Sequence, residues 1–465
     1  MAQTSGAKVR PSIHTTFLIG IIALAALAAG FAILGTITGN VGLYRIAQWL
    51  LFAALIGTGA SAFFQTPPIE PTKRKTGKIL LAALFIFVLC FTGYANTLNT
   101  PFLDGDEYIH LNDARNMLEN FNAKDTYEFL VLLKNGDAEH LFRPLLTTPF
   151  VIAYALFETN VLGYHIMHIL LHALGAIALF LSIFFLSKRV GTAMIAGAAF
   201  ALHPILSRPM SWTANLSKSP SMLFFFLSLL FFILYRKQGQ KARYLVLCAV
   251  FLLIDLGFWE LGAMLPPLFV CVDFLFFRDS AFKTERRHWL TPYGILFGLV
   301  ALYVSNIFLR IALLDLEEGK QYLAHRLSES GPGLFEAFRA MLDGLLRPYH
   351  QGVFDAGALP WLSLISLVGL ATLIVVGVLQ KDLDRRLILL GLVVMLLTYL
   401  PVKGSAQLNF EYLERSRLLL GPTVGLGIML GALLGSTRAL RSAGILLVLA
   451  MAVIVSMNNE AFIKI

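Results

Sequence analysis

Charge is scarce in this chain: 14% of its 465 residues are Asp, Glu, Lys or Arg, while 57% are hydrophobic. So few charges cannot keep a globular protein in solution, which excludes a soluble domain. Cysteine is almost absent. Cys90, Cys248 and Cys271 each lie inside an apolar run and share no motif spacing. A disulfide framework and a cysteine zinc site are thereby excluded, and the three read as small buried hydrophobes. Internal repeats, low-complexity tracts and an appended soluble domain are also missing. The net charge of +9 comes from short basic clusters between apolar runs, such as Lys73-Arg74-Lys75, Lys188-Arg189, Arg236-Lys237, Arg286-Arg287 and Arg385-Arg386. Clusters of that kind mark cytoplasmic loops, so the charge reflects topology and gives no support to nucleic-acid binding.

What the chain has in abundance is long hydrophobic runs. Runs of spanning length predict helices near residues 15–37, 43–64, 79–96, 161–186, 191–206, 219–235, 244–258, 261–277, 290–312, 357–379, 387–401, 417–434 and 441–457. The expected fold is an all-α polytopic membrane protein with about thirteen transmembrane helices. Lys8 and Arg10 precede the first run without a convincing cleavage site, so that run reads as a membrane helix and not a removed signal. Leu145 to Phe157, framed by Pro144 and Pro149, is too short to span and reads as an interfacial or re-entrant helix.

With the N-terminus in the cytoplasm, alternate loops collect more than half of the Lys and Arg residues and few of the acidic ones, as the positive-inside bias requires. The C-terminus then lies outside. This orientation sends every long or unusual connection to the extracytoplasmic face: a first outer loop at 96–145, a second at 312–359, and polar segments at 203–219, 258–261 and 401–417. The division expected is an N-terminal helix pair with a basic loop (1–78), a catalytic membrane module (79–435) and a C-terminal helix (436–465). In a bacterium the chain would sit in the inner membrane and work on the periplasmic side.

The sharpest local feature is Asp104-Gly105-Asp106-Glu107, three carboxylates in four residues straight after the run that ends at Tyr94. A helical pattern follows from Asp106 to Phe121, and a helix cap explains one of these aspartates but not both, nor Glu107. Carboxylates clustered at a membrane edge suit a general base acting on a hydroxyl, or a site for a divalent cation that steadies a phosphate. Cations recur on the same face at Arg143, Arg208, Lys218, Arg347, Lys403, Arg415 and Arg417. Some of these only snorkel to head groups, yet cations converging from separate helices are how a phosphate is held, with Arg415 and Arg417 beside Glu414 the leading pair. His165, His168 and His172 share one helix face, but no carboxylate or cysteine accompanies them, which favours packed histidines over a metal site. His165, His203 and Glu260 lie at the outer ends of their helices, where a substrate would be met.

The order of these pieces carries a resemblance. An acidic first outer loop is followed by Arg143-Pro144-Leu145, Gly163-Tyr164-His165 with His168 and His172, and His203-Pro204 with Trp212 and Ser217-Lys218-Ser219. Glu260-Leu261-Gly262 and Glu414-Arg415-Ser416-Arg417-Leu418 complete the set. Over residues 95 to 435 this resembles the polytopic GT-C glycosyltransferases, most closely their transmembrane O-mannosyltransferase branch. The resemblance implies inverting transfer of a sugar from a polyprenyl-phosphate donor to a protein, glycan or lipid hydroxyl outside the cytoplasm, with or without a metal. It implies Asp106 as the base, with Asp104 and Glu107 as rivals because Gly105 interrupts the usual Asp-Asp pair. It implies Arg415, Arg417, Arg347, Lys218 and Arg208 around the donor phosphate, and Arg143, His165, Glu260, His203 and Glu414 against substrate. Two extra N-terminal helices and the lack of tetratricopeptide repeats bear on the acceptor, not on the chemistry. A transporter or flippase of lipid-linked saccharide is the alternative, and would show paired broken helices and midplane charges. An inactive scaffold would tolerate loss of the acidic cluster.

Overall fold

A computed structural model describes residues 13–38, 40–60, 76–102, 105–119, 143–278, 286–313, 334–346, 357–380, 382–405 and 413–463. In chain order the helices are α1 (Ile13–Thr38), α2 (Val41–Ala60), α3 (Thr76–Gly93), α4 (Gly105–Glu119), α5 (Thr148–Phe157), α6 (Val161–Ser187), α7 (Val190–Ala201), α8 (Ser207–Ser211) and α9 (Lys218–Lys237). They continue as α10 (Ala242–Phe258), α11 (Leu265–Val272), α12 (Arg286–Leu313), α13 (Leu334–Leu346), α14 (Leu359–Leu379), α15 (Arg385–Tyr399), α16 (Leu420–Leu434) and α17 (Arg438–Ile463). The chain is an all-α polytopic membrane protein. Eleven spans among the described residues are long and apolar enough to cross a membrane. The two other runs expected to span form the helices α2 and α10, of 20 and 17 residues, which are not among those eleven.

Helices are the natural outcome where lipid offers no partner for a backbone amide, because each helix satisfies its own peptide groups. Their ends carry ordinary stop and start chemistry. Asn160 caps α6 by accepting from Leu162 N at 3.2 Å, and Asp384 caps α15 by accepting from Arg386 N at 3.3 Å. Apolar side chains such as Leu302, Ile365 and Leu446 stand about two-thirds exposed on the helix bundle, a surface suited to lipid.

The centre is built on close approach. Glycines on α16 face two neighbours at once. A Cβ on Gly425 would lie 2.3 Å from the Gly391 carbonyl oxygen of α15, and one on Gly431 would lie 2.5 Å from the Thr192 carbonyl oxygen of α7. Without side chains at these positions the backbones touch, which is how membrane helices gain packing where burial from lipid adds little. α6, α7, α9 and α16 form the most buried part of the bundle, and the α1–α2 pair packs on α14 and α15.

At the end of α9 opposite Lys218, Arg236 is buried against Asp273. Its Nε donates to Oδ1 at 3.0 Å, and the Tyr293 hydroxyl donates to Oδ2. These groups join α9, the π-turn Asp273–Phe277 and α12.

The polar stretch 203–219, expected as a short polar segment on the outer face, is almost wholly buried. Pro204, Pro209 and Pro220 break it into short turns, Pro204–Leu206, α8 and Thr213–Ser217, which fold back between α7 and α9. Each proline lies within the first three residues of its turn or helix, and polar side chains such as His203, Ser207 and Thr213 bond to partners inside the protein.

Candidate active site

The corner made by 203–218 gathers most of the candidate residues. α4 and α5 cover it: they pack on each other and on the Thr213–Ser217 turn, and α5 packs on α6, around a small core of Ala114, Phe150, Ala153, Tyr164 and Leu216. α4 begins where the acidic cluster predicts a helix. Its second and third residues point in different directions. Asp106 is exposed, while Glu107 is 1% exposed and accepts from Thr213 N at 2.6 Å and from the Thr213 hydroxyl. Asp113, further along α4, is half-buried, and desolvation raises its pKa above the ordinary carboxylate value.

Next to this contact are the cations. The guanidiniums of Arg208 and Arg417 lie 5.6 Å and 5.1 Å from the same Trp212 ring centroid. The two arginines come from segments more than two hundred residues apart, α8 and the 3-10 turn Leu413–Leu419, which pack against each other. Lys218 opens α9 with its ammonium 4.2 Å from the Trp259 ring, within electrostatic range of Arg143, Glu260, Arg417 and Asp255. Arg143 and Glu260 form a two-pronged pair, Nε to Oε2 at 2.7 Å and Nη2 to Oε1 at 2.6 Å. The same loop end is fixed by Leu145 N donating to Gly257 O at 2.9 Å.

The structure thus brings Arg208, Arg417, Lys218, Arg143 and Glu260 to one corner, with Glu107 joined to it through Thr213. His165 and His203 are placed differently. His165 Nε2 lies 3.0 Å from Thr100 O, and His203 uses both ring nitrogens: Nδ1 accepts from Ile205 N at 3.3 Å and Nε2 donates to Leu345 O at 3.1 Å. That pairing fixes the His203 tautomer from its partners. His172 Nε2 similarly meets Ala201 O at 3.0 Å. No group of three or more His, Cys, Asp or Glu among the described residues could hold a metal ion. Asp104, Arg347 and the side chains of Glu414 and Arg415 lie outside the described residues.

Several participants had no strong signature in the sequence. Thr213 is an ordinary residue in a polar turn. Asp255 reads as a helix-end carboxylate, but it is wholly buried and accepts from Ser221 Oγ at 2.6 Å beside Lys218. Tyr303 on α12 approaches the same charged group, and nothing in the spacing of residues links it there. Trp212 stands in the sequence only as one member of an ordered set.

No protein-family model matches the chain, and no solved structure matches it. Over 197 residues, 40% of this chain, it is 26% identical to a protein O-mannosyl-transferase of Caenorhabditis elegans. The match spans a quarter of that protein's length.

Proposed function

We propose that the chain transfers a sugar from a polyprenyl-phosphate donor to a hydroxyl acceptor on the extracytoplasmic face, with inversion, in a GT-C-like module. The observation that carries this reading is the cationic corner of Arg208, Arg417 and Lys218, coupled through Thr213 and Glu107 to the start of α4, where Asp106 is exposed. Phosphate is the leaving group such cations suit: they stabilise negative charge as the bond to the sugar breaks. Asp106 removes the acceptor proton, the acceptor oxygen attacks the anomeric carbon, and the electron pair of the breaking C–O bond leaves with the lipid phosphate. Arg415 and Arg347 join the phosphate and Glu414 meets substrate, whereas His165 and His203, buried and bonded to backbone, take a structural part. The Arg143–Glu260 pair frames the corner. Acceptors are protein, glycan or lipid hydroxyls, and the setting is the inner membrane if the source is bacterial.

The decisive experiment incubates purified protein with a panel of polyprenyl-phosphate sugars and follows release of the lipid phosphate, with and without chelator. Release from one donor, dependent on acceptor, is expected. No release from any donor defeats the reading, and loss on chelation assigns a divalent cation to the reaction.

A further inference from the structure

Three polar groups near the cationic corner are buried without a hydrogen-bond partner among the described residues: Trp212 Nε1, Asn215 Nδ2 and Ser416 Oγ. Their residues are 6%, 2% and 1% exposed. Buried polar groups in folded proteins are nearly always bonded, so three orphans on two contacting segments call for an explanation. The indole N–H and the amide NH₂ can only donate, and the serine hydroxyl can donate. What they lack is an acceptor. Trp212 also carries Arg208 and Arg417 at its ring, and Ser416 precedes Arg417 in the 3-10 turn. Donors and cations in this arrangement match an anion with several oxygens. A neutral sugar hydroxyl would ask for acceptors in return.

We propose that Trp212 is a binding residue for the phosphate of a lipid phosphomonoester. Its ring spaces the guanidiniums of Arg208 and Arg417, and its N–H donates to a phosphate oxygen together with Asn215 and Ser416. The inference deepens the reading of this corner as a phosphate site and rests on it for the identity of the lipid.

Binding is measured separately from sugar transfer, by calorimetric titration of purified protein with a short-chain polyprenyl monophosphate. Phosphatidate and inorganic phosphate form the comparison arms. Trp212→Phe keeps a ring for the arginines and removes the N–H. Ser416→Ala removes a hydroxyl with no hydrogen-bond partner among the described residues, so folding is preserved. Each should weaken polyprenyl monophosphate about tenfold, the loss of one hydrogen bond to a charged group. Trp212→Leu, which removes the platform as well, should weaken it further. Unchanged affinity in both Trp212→Phe and Ser416→Ala overturns the proposal. Equal losses for phosphatidate uphold the phosphate contact and identify a membrane phospholipid as its source. A wild-type protein that binds the monophosphate but transfers no sugar defeats the glycosyltransferase reading and leaves the contact standing. Transfer with normal binding by the variants does the reverse.

Discussion

Glu107 on α4 accepts a hydrogen bond from Thr213 N at 2.6 Å, across 106 residues of sequence, and a second from the Thr213 hydroxyl. This makes Glu107 the tie between the loop helix and the cationic corner, and leaves its neighbour Asp106 exposed. Adjacent carboxylates on a helix project about 100° apart, so one can anchor while the other acts.

From that division we expect Asp106→Asn to lower sugar transfer by about 10²-fold or more while the unfolding midpoint stays unchanged, as for loss of a general base. Parallel turnover and thermal-unfolding measurements check it. A mutant with full activity removes Asp106 from the mechanism.

Glu107→Ala should behave in the opposite way. It leaves the buried Thr213 N–H without its acceptor and is expected to cost about 1–3 kcal/mol of stability. Glu107→Gln, whose carbonyl oxygen still accepts, should recover most of that loss. If Ala and Gln variants unfold together with wild type, the tie carries no weight.

The Arg143–Glu260 fork is testable by a double-mutant cycle. Arg143→Ala and Glu260→Gln should be non-additive, with a coupling of roughly 0.5–3 kcal/mol in thermal stability. Arg143→Lys should rescue little, because an ammonium cannot reproduce two parallel bonds. Additive effects would show that the two side chains are neighbours without partnership.

Replacing Arg417 by Ala should raise KM for the lipid-phosphate donor about tenfold or more, with a smaller change in KM for the acceptor. Steady-state kinetics with each substrate varied in turn reads this directly. An equal effect on both substrates would speak for a general structural role.

Gly425→Leu and Gly431→Leu test the helix crossings. Each added Cβ would meet a backbone oxygen of α15 or α7 at 2.3 or 2.5 Å, well inside van der Waals contact. Loss of about 1–3 kcal/mol or more is expected, visible as a lowered unfolding midpoint in detergent. Gly294→Ala on α12, where nothing lies within 4 Å, serves as the control and should be neutral.

Much of the architecture is legible in the sequence. The α4 helix was foreseen from its acidic start and apolar side, and α5 from its flanking prolines. The spans were visible because lipid imposes a length and a composition that no other setting demands. The burial of the 203–219 stretch is not legible in the sequence, because polarity says nothing about whether partners wait inside the protein.

Sequence alone determined that the chain is a helical membrane protein, and which short segments concentrate acids and bases. These properties are local, since hydrophobic length and charge sign act on each segment by itself. Only the tertiary structure decided that Arg208 and Arg417 share one tryptophan, that Glu107 is buried on Thr213 while Asp106 is not, and that His203 is fully bonded to backbone. Those facts depend on which helix faces meet, and facing is set by the packing of small residues such as Gly391 and Gly425 across the bundle.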